Sequence, residues 1–430
     1  MRNLMLPLLL AAFSMHSAVA QDVGPDVGGS VLSDATRNPA LEPSGPLSLA
    51  AALDLTLQAN LDLALAGHEV DATAAAVRQA GLLPNPELSA LVEDTRRDSR
   101  TVTLQLNQPL ELGGKRAARV DAAERAHDVA AADLITRRTE LRADVTAAFF
   151  DLLVAQERAR LAAESADLAQ RATTAAARRV AAGKVSPVEE TKARVAEAAV
   201  KVESTQAASE LRAARRRLAA FWGNAAPRFD AAVAPVGVPV EPRAYGELAM
   251  QLETAPALAR AGLEIERRRA LVEVERARRV PDLTVSLGVK RDESLGRDQA
   301  ILGVSVPLPL FDRNQGNLAE ALKRQDLARD ERAALRIRLE RDVADAWERL
   351  DSARGEAAAL QDEVLPGARQ SLDAATKGFE LGKFGFLDVL DAQRTLFQAR
   401  AQHLRALAAA YRARADLDRI LGEPAAPVAR

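Results

Sequence analysis

Thr101-Val102-Thr103-Leu104-Gln105-Leu106-Asn107 places an apolar side chain at every second position, the period of a strand with one apolar and one polar face. Working back across the charged stretch Glu93 to Arg100, Leu88, Ala90 and Val92 keep the same alternation, so the two runs read as a hairpin over 87–108. Working forward, Pro109 ends the hairpin and Gly113-Gly114 open a segment with no breaker up to Ala182. Leu134, Leu141, Val145, Ala148 and Leu152 recur there at coiled-coil spacing, which predicts one helix over 115–182. Such a rod is ~100 Å long at ~1.5 Å per residue. No compact domain of ordinary size needs it.

Gly183 then fits a left-handed helix stop, and Ser186-Pro187-Val188-Glu189 has the form of a capping box with proline at the first helical position. The chain is expected to turn back into a return helix over 187–222. Ahead of the hairpin, a helical pattern from about Leu49 to Gly81 stops at Leu83-Pro84-Asn85-Pro86.

The whole plan then recurs. Gly67, Glu69, Pro86, Pro109, Leu112, Phe149, Gly183, Lys184 and Gly223 have counterparts in Gly262, Glu264, Pro281, Pro307, Leu310, Trp347, Gly382, Lys383 and Gly422, at offsets between 195 and 199. One long unit has been duplicated, with a period too long for a solenoid. The first repeat covers 47–222 and the second 244–422, joined by a Pro-rich connector over 223–243. The second repeat carries a helix, a hairpin over 282–308, a long helix over 315–381 and a return helix over 386–421. Residues 1–20, with Arg2 before the apolar run Leu4 to Phe13 and the small-residue pattern Ala18-Val19-Ala20, read as a secretory signal. A linker over 21–46 and a tail over 423–430 complete the chain.

Composition bounds what such a chain does. The residues are 48% hydrophobic but only 3% aromatic, and alanine mixed with Arg, Glu, Leu and Val suits long helices at close range. The net charge of −2 comes from interspersed charges and leaves no footprint for nucleic acid. There is no cysteine, hence no disulfide framework and no lipid-bearing cysteine. Met1, Met5, Met15 and His16 fall in the signal, and His68, His127 and His403 stand singly on helices, so no metal site and no cofactor are expected. Catalytic motifs in usable context are absent, which argues against an enzyme.

Strands of this length and alternation suit a tilted bilayer wall with lipid on one side and water on the other. Periodicity alone leaves open a second arrangement, soluble hairpins half covered by helices. In a membrane, four strands cannot close a barrel without open edges, so several copies would have to share one.

The duplicated plan and the run Gly382-Lys383-Phe384-Gly385-Phe386-Leu387-Asp388-Val389-Leu390-Asp391-Ala392-Gln393 resemble the TolC family of outer-membrane factors. Leu83-Pro84-Asn85-Pro86-Glu87-Leu88 and Gln108-Pro109-Leu110-Glu111-Leu112-Gly113-Gly114-Lys115-Arg116 further resemble its cobalt-zinc-cadmium resistance branch. The resemblance implies a mainly α fold with a small β part. It implies a homotrimer whose twelve strands form one barrel among outer-membrane lipids of a Gram-negative cell, above a periplasmic helical cylinder. It further implies a periplasmic adaptor (membrane fusion protein) and an inner-membrane pump of the resistance-nodulation-division (RND) type as partners. The duct would export divalent heavy-metal cations, with multidrug efflux, type I secretion or a periplasmic scaffold as alternatives. Asp388 and Asp391, three apart on one helix face, match the acidic entrance ring of the family, although Asp388 also suits a helix first turn and Glu189 stands at its equivalent position. The turns Gly183-Lys184-Val185-Ser186 and Gly382-Lys383-Phe384-Gly385 match its adaptor-docking tips, while ordinary capping accounts for their glycines equally well.

Overall fold

A computed structural model of the chain describes residues 42–94, 96, 98–233, 243–381 and 383–422. The expected signal over 1–20, nearly all of the linker, the connector from 234 to 242, Gly382 and the tail lie outside the described residues. From Pro43 onward the chain forms one unit. Its elements run α1 (Leu49–Ala59), α2 (Leu61–Ala80), β1 (Glu87–Glu93), β2 (Thr101–Leu110), α3 (Lys115–Ala181) and α4 (Pro187–Ala220). The second repeat follows with α5 (Tyr245–Gln251), α6 (Pro256–Ala277), β3 (Leu283–Asp292), β4 (Arg297–Ser305), α7 (Gln315–Ala359), α8 (Leu365–Glu380) and α9 (Phe386–Leu421).

Both hairpins join one antiparallel sheet in the order β1-β2-β3-β4. The register aligns Leu88, Leu106, Leu287 and Leu302 in one row and Ala90, Leu104, Val289 and Ala300 in the next. Directly paired residues share a face, so alternation within each strand becomes an apolar face across all four. The opposite face carries Ser89, Gln105, Asn107 and Ser286, tied together by Ser286 Oγ donating to Asn107 Oδ1 at 2.7 Å and Gln105 Nε2 donating to the same oxygen at 2.7 Å. Among the described residues β1 and β4 are unpaired edges. The expected strand end at Gln108 moves two residues on: β2 runs through Pro109, paired with Thr284, to Leu110. Beyond Asn107 the strand has no β1 residue beside it, so the missing N–H of the proline is tolerated there as on an edge.

The helices lie side by side. Next to the sheet the order is α2-α3-α6-α7, and farther along α3 it becomes α4-α3-α9 with α7 and α8 beyond. Alanine sets the spacing: Ala155, Ala162, Ala169 and Ala176 of α3 are buried at seven-residue intervals, and Ala193, Ala207 and Ala214 of α4 are buried with them. Ala392, Ala399, Ala406 and Ala413 form the same seam on α9. A methyl group at each seam position lets the backbones approach, as shown by Thr173 Oγ1 of α3 reaching the Ala193 carbonyl of α4 at 3.2 Å. The few aromatic residues concentrate midway along the helices. Phe149 packs edge-on against Phe150, which stacks on Tyr411 of the second repeat at 3.5 Å between centroids. Leu47, Leu152, Leu218, Trp222 and Phe229 complete that core, and Leu258, Val343, Leu350 and Leu417 centre its counterpart in the second repeat.

Three helices expected as continuous are interrupted. The pattern over 49–81 splits at Asn60, where the axes bend by 44°. Asn60 Oδ1 accepts from the Asp62 and Leu63 amides at 2.9 and 3.2 Å, and its Nδ2 donates to the Phe221 carbonyl at 2.8 Å. One side chain thereby caps a new helix and holds it to the end of α4. Its counterpart at the offset of 195, Ala255, precedes Pro256, which disfavours helix in the residue before it; α5 and a short 3₁₀ turn end there and α6 begins. The long helix expected over 315–381 contains a π turn at Leu360–Val364, with the Leu365 amide bonded to the Leu360 carbonyl. Pro366 explains it: its ring clashes with the preceding turn and it has no N–H to continue the ladder, so the helix widens just before it.

Candidate functional site

The two helix-to-helix turns are built alike. At the first, Gly183 has φ +66°, the left-handed conformation that glycine adopts without strain. Gly183 N donates to Val180 O at 2.9 Å and Lys184 N to Arg179 O at 2.9 Å, which satisfies the last carbonyls of α3. Ser186 Oγ accepts from the Val188 amide at 3.3 Å, and Pro187 occupies the first helical position of α4. Lys184 and Ser186 are exposed and Val185 is half-buried. Glu189 forms an ion pair of 3.3 Å with Lys192.

At the second turn Lys383 N donates to Gly378 O at 2.8 Å, the bond that Lys184 makes in the first repeat. Gly382 lies outside the described residues. Lys383, Phe384 and Gly385 are exposed, Phe384 only by half because its ring lies against Gly378. A Cβ on Gly378 would come within 2.0 Å of that ring. Sequence reasoning missed Gly378. Its one signal is a glycine inside a helix, a position that costs about 1 kcal/mol against alanine and so requires a compensating contact.

Asp388 and Asp391 are both exposed in the first turns of α9. Asp388 Oδ2 accepts from the Gly385 amide at 2.8 Å, so this carboxylate caps its own helix. Asp391 forms no ion pair among the described residues. Asp388 therefore does more at its helix start than a first-turn acid near the dipole, because it bonds the Gly385 amide directly.

The run around Gly113 joins the two repeats at the base of the sheet. Gly113 has φ +70°, and a Cβ there would sit 2.6 Å from Cβ of Val280. Asp282, just before β3, accepts from Leu112 N at 3.1 Å and from Lys115 Nζ at 2.7 Å. Glu111 and Arg119 pair beside them. These groups bond to one another rather than converging on a vacant centre. A cavity of about 670 Å³ between α3, α4 and α9 is bordered by Asp151, Arg158, Glu210 and Arg412, paired as Arg158–Glu210 at 2.8 Å and Arg412 Nε–Asp151 at 2.7 Å. Among the described residues no group of three or more His, Asp or Glu side chains is placed to hold a metal ion.

A sheet with one apolar and one polar face, continued by long helix pairs that end in capped turns, is the fold of an outer-membrane channel protein of the TolC type. The pattern of the family described as outer membrane efflux protein matches residues 52–224 and 248–423, one match per repeat. The chain belongs to this family, and it is an outer-membrane protein with a large periplasmic helical part. It is 50% identical over 424 residues to the cobalt-zinc-cadmium resistance protein CzcC of Cupriavidus metallidurans, covering 98% of this chain and all of that one. The nickel-cobalt-cadmium resistance protein NccC of Alcaligenes xylosoxydans is 29% identical over 59% of each chain. Among solved structures, a membrane protein from Pseudomonas aeruginosa superposes with a TM-score of 0.74 at 23% identity, covering 87% of this chain and 92% of that one. The open state of the Neisseria gonorrhoeae MtrE outer membrane channel superposes with a TM-score of 0.72 at 22% identity, covering 87% and 88%. These two likenesses establish the fold.

Proposed function

We propose that the protein is the exit duct of a tripartite efflux system that exports divalent heavy-metal cations. In this reading it assembles as a homotrimer and receives its cargo from an inner-membrane RND pump through a periplasmic adaptor. The observation that carries the assembly is the four-stranded sheet with both edges open among the described residues. A bilayer tolerates no unpaired strand edge, and the smallest closed barrels have about eight strands. β1, α2 and α4 lie toward one side of the protomer and β4, α7 and α8 toward the other, so copies joined head to tail can close a ring. Val188, Val195 and Val202 make an exposed seven-residue stripe on α4, as expected of a helix that awaits a neighbour. The 50% identity to CzcC over nearly the full length supports metal cations as cargo.

Within that reading, Asp388 and Asp391 supply an acidic ring at the entrance, where six carboxylates from three copies would concentrate cations. The turns at Gly183 to Ser186 and Gly382 to Gly385 are the docking points for the adaptor. A strain lacking the gene, challenged with zinc, cobalt and cadmium and separately with organic antibiotics, tests the cargo. Metal sensitivity restored by the wild-type gene is expected. Antibiotic sensitivity with unchanged metal tolerance would transfer the proposal to multidrug efflux. A folded monomer in the soluble periplasm would end it.

A further inference from the structure

The apolar rows of the sheet are too short for the membrane they enter. They run from Leu110 and Leu283 to Ala90, Leu104, Val289 and Ala300. The next row mixes Val92 and Val102 with Arg291 and Asp298, the last two paired at 3.2 Å, so charge first enters this face at the end away from the helices. Six residue steps at ~3.4 Å, tilted by about 40°, give only ~15 Å along the bilayer normal, against the ~25 Å apolar band of an outer-membrane barrel. The remaining ~10 Å has to come from the helical end.

Apolar residues continue there outside the strands. Leu82 and Leu83 precede β1, and Val306, Leu308, Leu310 and Phe311 follow β4; all six are exposed, Leu308 by 75% and Phe311 by 91%. The main chain of these segments is also prepared for lipid, where each unmatched polar group costs several kcal/mol. Pro84, Pro86, Pro307 and Pro309 remove four N–H donors. The Leu82 amide donates to Gln79 O at 3.2 Å and the Leu310 amide to Leu308 O at 2.9 Å. Gln108, the lone polar side chain in the apolar rows just described, donates to the Pro84 carbonyl at 3.1 Å and the Pro109 carbonyl at 2.9 Å. A water-facing loop would need neither the deleted donors nor that cap.

We propose that Leu82-Leu83 and the segment from Val306 to Phe311 form a collar embedded in the periplasmic leaflet of the outer membrane, extending the lipid contact of the sheet and fixing the depth at which the protein sits. This rests on the outer-membrane placement of the sheet. The occupant is acyl chain and glycerol backbone, because Val306, Leu308 and Leu310 carry the alternating exposed apolar positions of β4 on beyond Val304. In a chain without cysteine it provides anchorage that needs no attached lipid.

The absence of native cysteine makes the test direct. The full chain carrying Leu302→Cys in the sheet, Leu308→Cys or Phe311→Cys in the collar, or Lys323→Cys on α7 is labelled with an environment-sensitive fluorophore. Each is reconstituted in phosphatidylethanolamine/phosphatidylglycerol vesicles. Lipids with a nitroxide at the glycerol end of the acyl chain should quench the probes at 308 and 311, and aqueous iodide should quench 323 alone. Iodide quenching at 308 and 311 equal to that at 323 would overturn the collar, as would protection from both quenchers, which would place these residues between copies. Nitroxide quenching at 302 is the separate control: its loss would indict the membrane placement of the sheet itself.

Discussion

The Glu189 carboxylate lies 3.3 Å from the Lys192 ammonium in the first turns of α4, and the same two positions of the second repeat hold Asp388 and Asp391. Duplication therefore left a paired acid and base at these positions of one turn and two carboxylates at the same positions of the other. Replacing Asp391 by lysine restores the pattern of the first repeat. In planar bilayers Asp391→Lys should shift the reversal potential away from cation preference while the conductance pathway persists. An unchanged reversal potential would separate this carboxylate from the permeation path. Asp388→Ala should add a loss of about 1 kcal/mol in local helix stability, because it also removes the cap on the Gly385 amide.

Gly378 gives Phe384 its resting place. Gly378→Val should displace that ring and abolish metal tolerance in complementation, with oligomers still recovered from the membrane. Gly183→Val attacks the other tip through its left-handed φ of +66°, at a cost of ~1–2 kcal/mol. Normal tolerance in both variants would remove the docking role.

The alanine seam tolerates little. Ala169 is 4% exposed, midway along the heptad series between α3 and α4. Ala169→Leu should cost ~1–3 kcal/mol through overpacking and lower the melting temperature of the purified protein. Exposed Lys323→Leu, which puts the same side chain on α7 facing solvent, should leave it unchanged.

His403 on α9 is half-buried, and its Nε2 has no hydrogen-bond partner among the described residues. Burial pushes its pKa below the ordinary imidazole value. As pH falls through about 6.5 the unfolded chain takes up a proton that the folded protein resists, so stability is lost on the acid side and is fully present above that pH. His403→Gln should flatten this loss between about pH 7 and the lower folded pKa, read as melting temperature against pH. Equal slopes for wild type and variant would contradict it.

Much of the architecture was legible because its signals are local. Alternation at Leu104 and Leu106, the helix stop at Gly183 and the proline-led start of α4 each depend on neighbours within a few residues, and the duplication is written in the spacing of glycines and prolines. The breaks at Asn60 and Ala255 were less visible: asparagine can cap a helix wherever one starts, and what ties the start to this position is the distant bond from Asn60 Nδ2 to the Phe221 carbonyl. The π turn had a visible cause in Pro366, but a proline inside an apolar pattern does not announce whether the helix will stop, kink or widen.

By itself the sequence determined the strands, the rods, the twofold repeat and the two carboxylates at one turn, all of which follow from side-chain period and charge along the chain. Tertiary structure alone decided that both hairpins share one sheet, that Asp282 of the second repeat holds the start of α3, and that Gly378 makes room for Phe384. Those relationships join residues whose separation in sequence carries no periodic signal, and they come into being only when backbone hydrogen bonding and close packing bring the two repeats together.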